Sequence, residues 1–194
     1  MPPSPVPREA WLRLRPPRSW RAGVIKIQPN RRWRSLTWPR PFPDFSTAPA
    51  ALIPTLQVVT LSCFSETTGS AFLETCLGCA TDPLVRAVFR ELLGDDVDHA
   101  RLGWAHLHSQ RLTTENRVAL ADWIARIAHA NLRSWRRRPQ FASSPTFTTR
   151  GCPSWETIDL AVIGAMRTLI FPGFERAGYQ LHAVRTWFED LLRQ

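Results

Sequence analysis

The sequence has little lysine, no long apolar run and no convincing alternation of apolar and polar residues that would indicate a β-strand. Only one of its 25 basic residues is a lysine, Lys26. No uninterrupted apolar stretch approaches the roughly 20 residues that a membrane-spanning helix needs. The N-terminus lacks a compact apolar run before a small-residue cleavage site, so we predict no secretory signal. We expect a cytoplasmic protein without a membrane segment, and four cysteines are compatible with that compartment.

The positive charge is concentrated at the N-terminus. Residues 1–45 contain ten Arg or Lys and two acidic residues, a net charge of +8, whereas residues 46–194 contain fifteen and fourteen, a net of +1. Ten of the seventeen prolines also lie in residues 1–45, where they interrupt any helix that might start. We therefore predict a disordered basic arm over 1–45 and one folded domain over 46–194. Contact between nucleic acid and the Arg and Trp side chains of this arm is an alternative that we do not favour.

The domain is predicted to be all-α, because apolar residues recur at helical spacing in four main segments and a shorter one. The expected helices cover residues 50–79, 82–111, 113–135 and 154–171, followed by a C-terminal helix from about 181. Asp82, Thr113 and Ser154 are expected to cap three of them. The dipeptide Pro172-Gly173 is expected to end the fourth.

The second of these helices contains an acid and an imidazole three residues apart, Asp96 and His99. Helical spacing places both on one predicted inward face. That face consists of Leu84 or Val85, Val88, Leu92, Asp96, His99, Leu102 or Gly103, and His106. Glu66 lies near the middle of the inward face of the first helix, and the short connection predicts that the two helices are antiparallel neighbours. Because a buried carboxylate is costly unless something neutralises it, these residues predict a metal site.

The stretch 65–107, with Glu66 followed by Asp96-Val97-Asp98-His99-Ala100, resembles the first helix pair of ferritin-like proteins such as rubrerythrins and bacterioferritins. The resemblance implies a ferritin-like four-helix bundle with a short C-terminal helix. It also implies that Glu66 is the first-helix ligand, Asp96 the acid of the Glu-x-x-His motif and His99 its imidazole. Iron or manganese would then be the cofactor, with zinc as a further option, and the activity would be oxidation chemistry with oxygen or peroxide.

Two features depart from the ferritin-like pattern. Asp96 is one methylene shorter than the usual Glu, and residues 161–166, at the centre of the fourth helix, contain no ligand. Three interpretations therefore stay open: a single-metal site, a two-metal site completed by a second subunit across a two-fold axis, or a vestigial site. In the last case the chain would be a non-catalytic module that binds a partner protein or acts as a scaffold.

Two weaker candidates remain. His106 lies two turns after His99 and would be a secondary ligand or proton carrier, although a core or rim histidine is the simpler interpretation. Cys76 and Cys79 form a C-x-x-C pair, a spacing that serves redox exchange or metal binding. We favour small packing residues for both cysteines.

Overall fold

The computed structural model describes residues 43–109, 112–136 and 150–193. Within these ranges the chain is all-helical, without a β-strand, which confirms the predicted fold class. Five helices follow one another: α1 (Ile53–Cys79), α2 (Pro83–His108), α3 (Thr114–Trp135), α4 (Trp155–Arg176) and α5 (His182–Leu192). Residues 1–42 of the predicted arm lie outside the described residues.

The N-termini of three helices are fixed by the residues that the sequence indicated. The Asp82 carboxylate accepts hydrogen bonds from two backbone N–H groups of the first turn of α2. Thr113 and Ser154 accept one each at the starts of α3 and α4. A cap of this kind contributes about 1 kcal/mol to helix stability.

Two of the helices contain a π-helical stretch, in which each turn holds more residues than an α-helical turn. In α1 this stretch is Val59–Glu66, and in α4 it is Met166–Ile170. Both are continuous with α-helix on either side. Such stretches are rare and occur frequently at functional sites.

The end of α4 differs from the sequence-based prediction. The helix continues through Pro172 and Gly173 to Arg176, so the expected interruption at this dipeptide was wrong. Pro172 falls at the start of the α-helical segment that follows the π-helical stretch, where a missing N–H is tolerated. Gly173 is needed for packing, since an added Cβ would lie 2.6 Å from the ring of Trp104. The end of α2 was also misplaced, because the helix ends at His108 rather than Arg111.

The hydrophobic core lies between α1, α3, α4 and α5, with α1 in contact with α2, α3 and α4. On α3 the whole predicted apolar stripe is buried: Leu120, Trp123, Ile124, Ile127 and Ala128. Phe45 packs edge-on against Trp123, with ring centroids 5.5 Å apart. The packed part of the chain therefore includes the last residue of the segment that the sequence assigned to the arm.

A buried polar group joins α1 to α3. Thr68 Oγ1 donates to the carbonyl oxygen of Phe64 at 2.8 Å and accepts a hydrogen bond from Trp135 Nε1, also at 2.8 Å. Asn131, buried on α3, lies beside the same hydroxyl group. Hydrogen-bonded groups of this kind fix the register of two helices, because each buried donor left without an acceptor would be costly.

Helix α2 contributes little to the core. Its buried residues are Ala100, Gly103 and Leu107. The predicted inward face was therefore wrong in part: Leu84, Val88, Leu92 and Leu102 are exposed. The alternatives Val85 and Gly103 are partly buried and buried, and Asp96 and His106 are partly buried. The small residues decide the contact with α1, since an added Cβ at Gly103 would lie 2.5 Å from Ser62 Cβ. Helix α2 lies close against α1, and one apolar flank of it is open to solvent.

By length and composition, α4 is the one described helix that could cross a membrane. Its 22 residues, Trp155–Arg176, include a window of mean hydropathy 1.4, of which 39% is buried. A core helix of a water-soluble protein meets the same criteria. The expectations of a cytoplasmic location and no membrane contact remain predictions.

Candidate metal centre

Three predicted ligands converge where α1 lies against α2. One ligand atom from each of Glu66, Asp96 and His99 lies within 4.8 Å of the other two. His99 Nδ1 is 3.9 Å from Glu66 Oε2. Glu66 is the last residue of the π-helical stretch of α1, while Asp96 and His99 project from consecutive turns of α2. The structure thus brings together two carboxylates and one imidazole from two helices.

Gly69 makes room for this cluster and was not identified from the sequence. An added Cβ at Gly69 would lie 2.8 Å from Asp96 Oδ2, so the missing side chain leaves the space that the carboxylate occupies. Gly69 comes three residues after Glu66 and therefore lies on the same face of α1. The sequence contained a signal for this role: Gly69 lies one turn after Glu66 and opposite Asp96 of the neighbouring helix.

The electrostatics of the cluster favour a cation. Burial raises the pKa of Glu66, and the neighbouring Asp96 carboxylate raises it further, while His99 lowers it. Burial also raises the pKa of Asp96. Two ionised carboxylates this close repel each other, and a bound cation would remove that repulsion.

The cluster lies at the protein surface. Glu66 and Asp96 are half-buried, whereas the His99 side chain is 58% exposed. Carboxylate oxygen and imidazole nitrogen are donors that suit iron, manganese and zinc. Three protein ligands leave positions for water or a small substrate, which is the arrangement of a catalytic rather than a structural metal site. These residues therefore fit a divalent cation.

The weaker candidates lie apart from this cluster. His106 Nε2 is 3.4 Å from Thr55 Oγ1. Cys76 is buried, which raises the pKa of its thiol to about 12, and Cys79 is partly buried. Within the described ranges, Glu66, Asp96 and His99 form the only group of three or more such residues with metal-ligand spacing. Helices α3 and α4 contribute no residue to it.

Comparison with known proteins identifies no relative. No family model matches the sequence, and neither a curated protein nor a solved structure matches it significantly. The likeness to ferritin-like proteins depends on residues 65–107 and stays a prediction. The function therefore has to be argued from the donor atoms of the cluster.

Proposed function

We propose that this chain is a ferritin-like protein, with α1 to α4 as the four-helix bundle and α5 as the short additional helix. It binds iron or manganese through Glu66, Asp96 and His99. The observation that carries the proposal is the convergence of these three ligand atoms within 4.8 Å. Zinc is the alternative cation for the same donors.

The proposed activity is oxidation chemistry. A redox-active metal at this position would supply electron transfer to oxygen or peroxide. The two carboxylates offset the charge of a divalent cation, and His99 contributes a neutral nitrogen donor. Because the His99 side chain is exposed, a small oxidant reaches the cluster without any helix having to move.

A second candidate function is a non-catalytic helical module that binds a partner protein. The exposed apolar residues of α2 support it, since Leu84 and Leu102 present large apolar side chains to solvent. In this case Glu66, Asp96 and His99 would form a polar group without metal. Partner binding would then be unchanged when all three are replaced by alanine.

The test of metal binding is elemental analysis of the full chain purified without a metal-affinity tag. We expect about one Fe or Mn per chain, lost in the Asp96→Ala/His99→Ala double variant. The control is Glu91→Ala, which removes an exposed acid of the same helix and should retain the metal. No metal after anaerobic loading with ferrous iron or Mn(II) would overturn the proposal.

A subtler variant tests the geometry rather than the donors. Gly69→Ala retains all three ligands but pushes against Asp96 Oδ2, which is the free end of a side chain and moves at little cost to folding. We expect metal affinity to fall by about 10-fold to 100-fold, as for other changes that displace a ligand. Oxygen or peroxide consumption by the iron-loaded protein should fall in parallel, with unchanged circular dichroism. Equal affinity in wild type and Gly69→Ala would show that metal binding does not depend on the space at Gly69.

A further inference from the structure

A groove between α2 and α4, with α1 at its floor, takes no part in the metal cluster. Its volume is about 340 Å³, which lies at the small end of the range for ligand pockets. Val97, Ala100, Trp104 and Leu169 give it mostly apolar walls, and Arg101 and Arg176 lie at its rim. A mostly apolar groove with a few polar groups is the usual form of a site for a small molecule.

The indole ring of Trp104 forms a fixed wall of the groove. It packs edge-on against Phe174, with ring centroids 5.3 Å apart. It also lies over Gly173, where an added Cβ would be 2.6 Å from the ring. Leu169, which is 53% exposed, provides an apolar side chain from α4. Walls that include an aromatic ring suit a ligand whose body is flat and apolar.

The charge at the rim of the groove is positive. Arg176 pairs with no carboxylate in the part of the chain that the structure describes. Both oxygens of the adjacent Glu175 accept hydrogen bonds from Arg185, at 2.7 and 2.8 Å. Arg101 donates one N–H to Asp98 at 2.7 Å, which leaves other guanidinium N–H groups for a ligand. None of the described residues that line the groove is acidic, so the groove favours an anion, and a carboxylate matches the guanidinium fork.

Thr67, at the floor of the groove, has a polar atom that no other described group uses. The residue is 5% exposed, and its Oγ1 is buried without a hydrogen-bond partner. Four other hydroxyl groups of α1 donate to the carbonyl oxygen four residues earlier, those of Thr60, Thr68, Ser70 and Thr75. Thr67 directly follows the π-helical stretch of α1, and Leu169 lies in that of α4, a backbone form that is frequent at functional sites. A buried polar atom without a partner calls for an explanation such as an ordered water or a ligand.

We propose that this groove binds a small carboxylate with a flat apolar body. The carboxylate pairs with Arg176 and Arg101 at the rim, and the body packs against Trp104 and Leu169. The proposal does not depend on the metal, because none of the three metal ligands lines the groove.

The test is isothermal titration calorimetry of the full chain in the presence of a chelator, with three probes. The probe 2-naphthoate has the charge and the flat body, 2-naphthamide has the same body without the charge, and acetate has the charge without the body. We expect 2-naphthoate to bind at one site per chain. The other two probes should each bind at least about 10-fold more weakly, because each lacks one of the two groups that the groove recognises.

The variants change exposed residues, so the fold should be retained, which circular dichroism checks. Arg176→Gln should weaken 2-naphthoate binding by about 10-fold and leave 2-naphthamide binding unchanged, because it removes only the charged partner. Its control is Arg133→Gln, at an exposed residue of α3 outside the groove. Leu169→Glu places a negative charge in the groove wall and should weaken 2-naphthoate binding by at least about 10-fold. Its control is Leu160→Glu on the same helix, at a residue that is 70% exposed.

The outcomes decide the proposal without reference to metal. Weaker binding in Arg176→Gln and Leu169→Glu, with wild-type binding in both controls, would support it. It would be overturned if 2-naphthoate bound no more tightly than 2-naphthamide, if the groove variants bound like the wild type or no worse than their controls, or if millimolar 2-naphthoate gave no saturable binding. A wild type that binds no Fe or Mn would overturn the metal function and leave this site standing.

Discussion

Replacing Glu66 by glutamine should stabilise the metal-free protein and destabilise the metal-bound one. Glutamine retains the shape of the side chain and removes its charge. The carboxylates of Glu66 and Asp96 lie within 4.8 Å of each other. Coulomb's law gives their repulsion at that distance as about 0.9 kcal/mol in bulk water and about 3.5 kcal/mol at an effective dielectric constant of 20. Both carboxylates are partly exposed, and His99 offsets part of the repulsion. We therefore expect Glu66→Gln to raise the free energy of unfolding of the metal-free protein by about 1 to 2 kcal/mol.

The pH dependence gives the sign of this effect. The pKa of Glu66 is raised in the folded protein above its ordinary value of 4.5, so the folded state binds the proton more tightly than the unfolded state. The stability linked to this proton is full below the ordinary pKa and is lost as pH rises through the folded pKa. The advantage of Glu66→Gln should therefore be largest well above the folded pKa of Glu66 and should shrink as pH falls through it.

The assay is urea unfolding of wild type and Glu66→Gln at a series of pH values from 8 downwards, with a chelator and then, at pH 8, with saturating Mn(II). With Mn(II) the order should reverse, because a ligand at 100 times its dissociation constant stabilises the wild type by about 2.7 kcal/mol. Glu74→Gln, at an exposed acid on the same helix, should change stability by less than about 0.5 kcal/mol. A metal-free Glu66→Gln less stable than wild type at pH 8 would refute the reasoning, as would an advantage that does not shrink at any lower pH in the series.

Three further predictions concern the packing around the site. Gly103→Ala should lower stability by about 1 to 3 kcal/mol in thermal unfolding, because the new Cβ would lie 2.5 Å from Ser62 Cβ of α1. The control is Gly94→Ala, whose new Cβ has no atom within 4 Å. It should be neutral or stabilise the protein by up to about 1 kcal/mol. Thr68→Val should cost about 1 to 3 kcal/mol in urea unfolding, since it removes a buried hydroxyl and leaves the partly buried Trp135 N–H without its acceptor. Wild-type stability would contradict that hydrogen bond. Cys63 is fully buried, and burial raises the pKa of its thiol. After treatment with an alkylating reagent, mass spectrometry should find Cys63 unmodified in the native protein and modified in urea. Rapid labelling of the native protein would contradict its burial.

The pairing of α1 with α2 could be predicted because it depends on local signals. Asp82 and Pro83 mark a helix start directly after the first helix ends, and so short a connection forces antiparallel neighbours. Helical spacing then places Asp96 and His99 at the level of Glu66. The positions of Glu66, Asp96 and His99 along the two helix axes could therefore be predicted from the sequence.

The rotation of α2 about its axis could not be predicted from hydropathy. The leucines at 84, 92 and 102 have the spacing of a core stripe, yet they are exposed. The contact with α1 depends instead on the smallest side chains, because Ala100 and Gly103 allow the closest approach. An apolar stripe has the same pattern whether its own chain or a partner covers it, so sequence periodicity does not distinguish the two.

The continuation of α4 beyond Pro172 could not be predicted from the sequence either. Pro-Gly is the usual signal for the end of a helix, and the preceding π-helical stretch that accommodates the proline has no composition of its own. Gly69 was missed for a related reason. Its importance depends on the carboxylate of Asp96 in α2, so the signal appears only when the sequences of α1 and α2 are aligned as antiparallel neighbours.

The π-helical stretch of α1 is the place where this helix can lose a residue and keep its packing. Successive side chains of an α-helix are about 100° apart around its axis, so a deletion in an α-helical part of α1 would turn every later side chain by about that angle. Each hydrogen-bonded turn of a π-helix holds one residue more than a turn of an α-helix, so deleting one residue within Val59–Glu66 lets the stretch close up as α-helix. Leu73 and Cys76, which are buried, then keep facing the core. A chain one residue shorter in this stretch can therefore retain the same core.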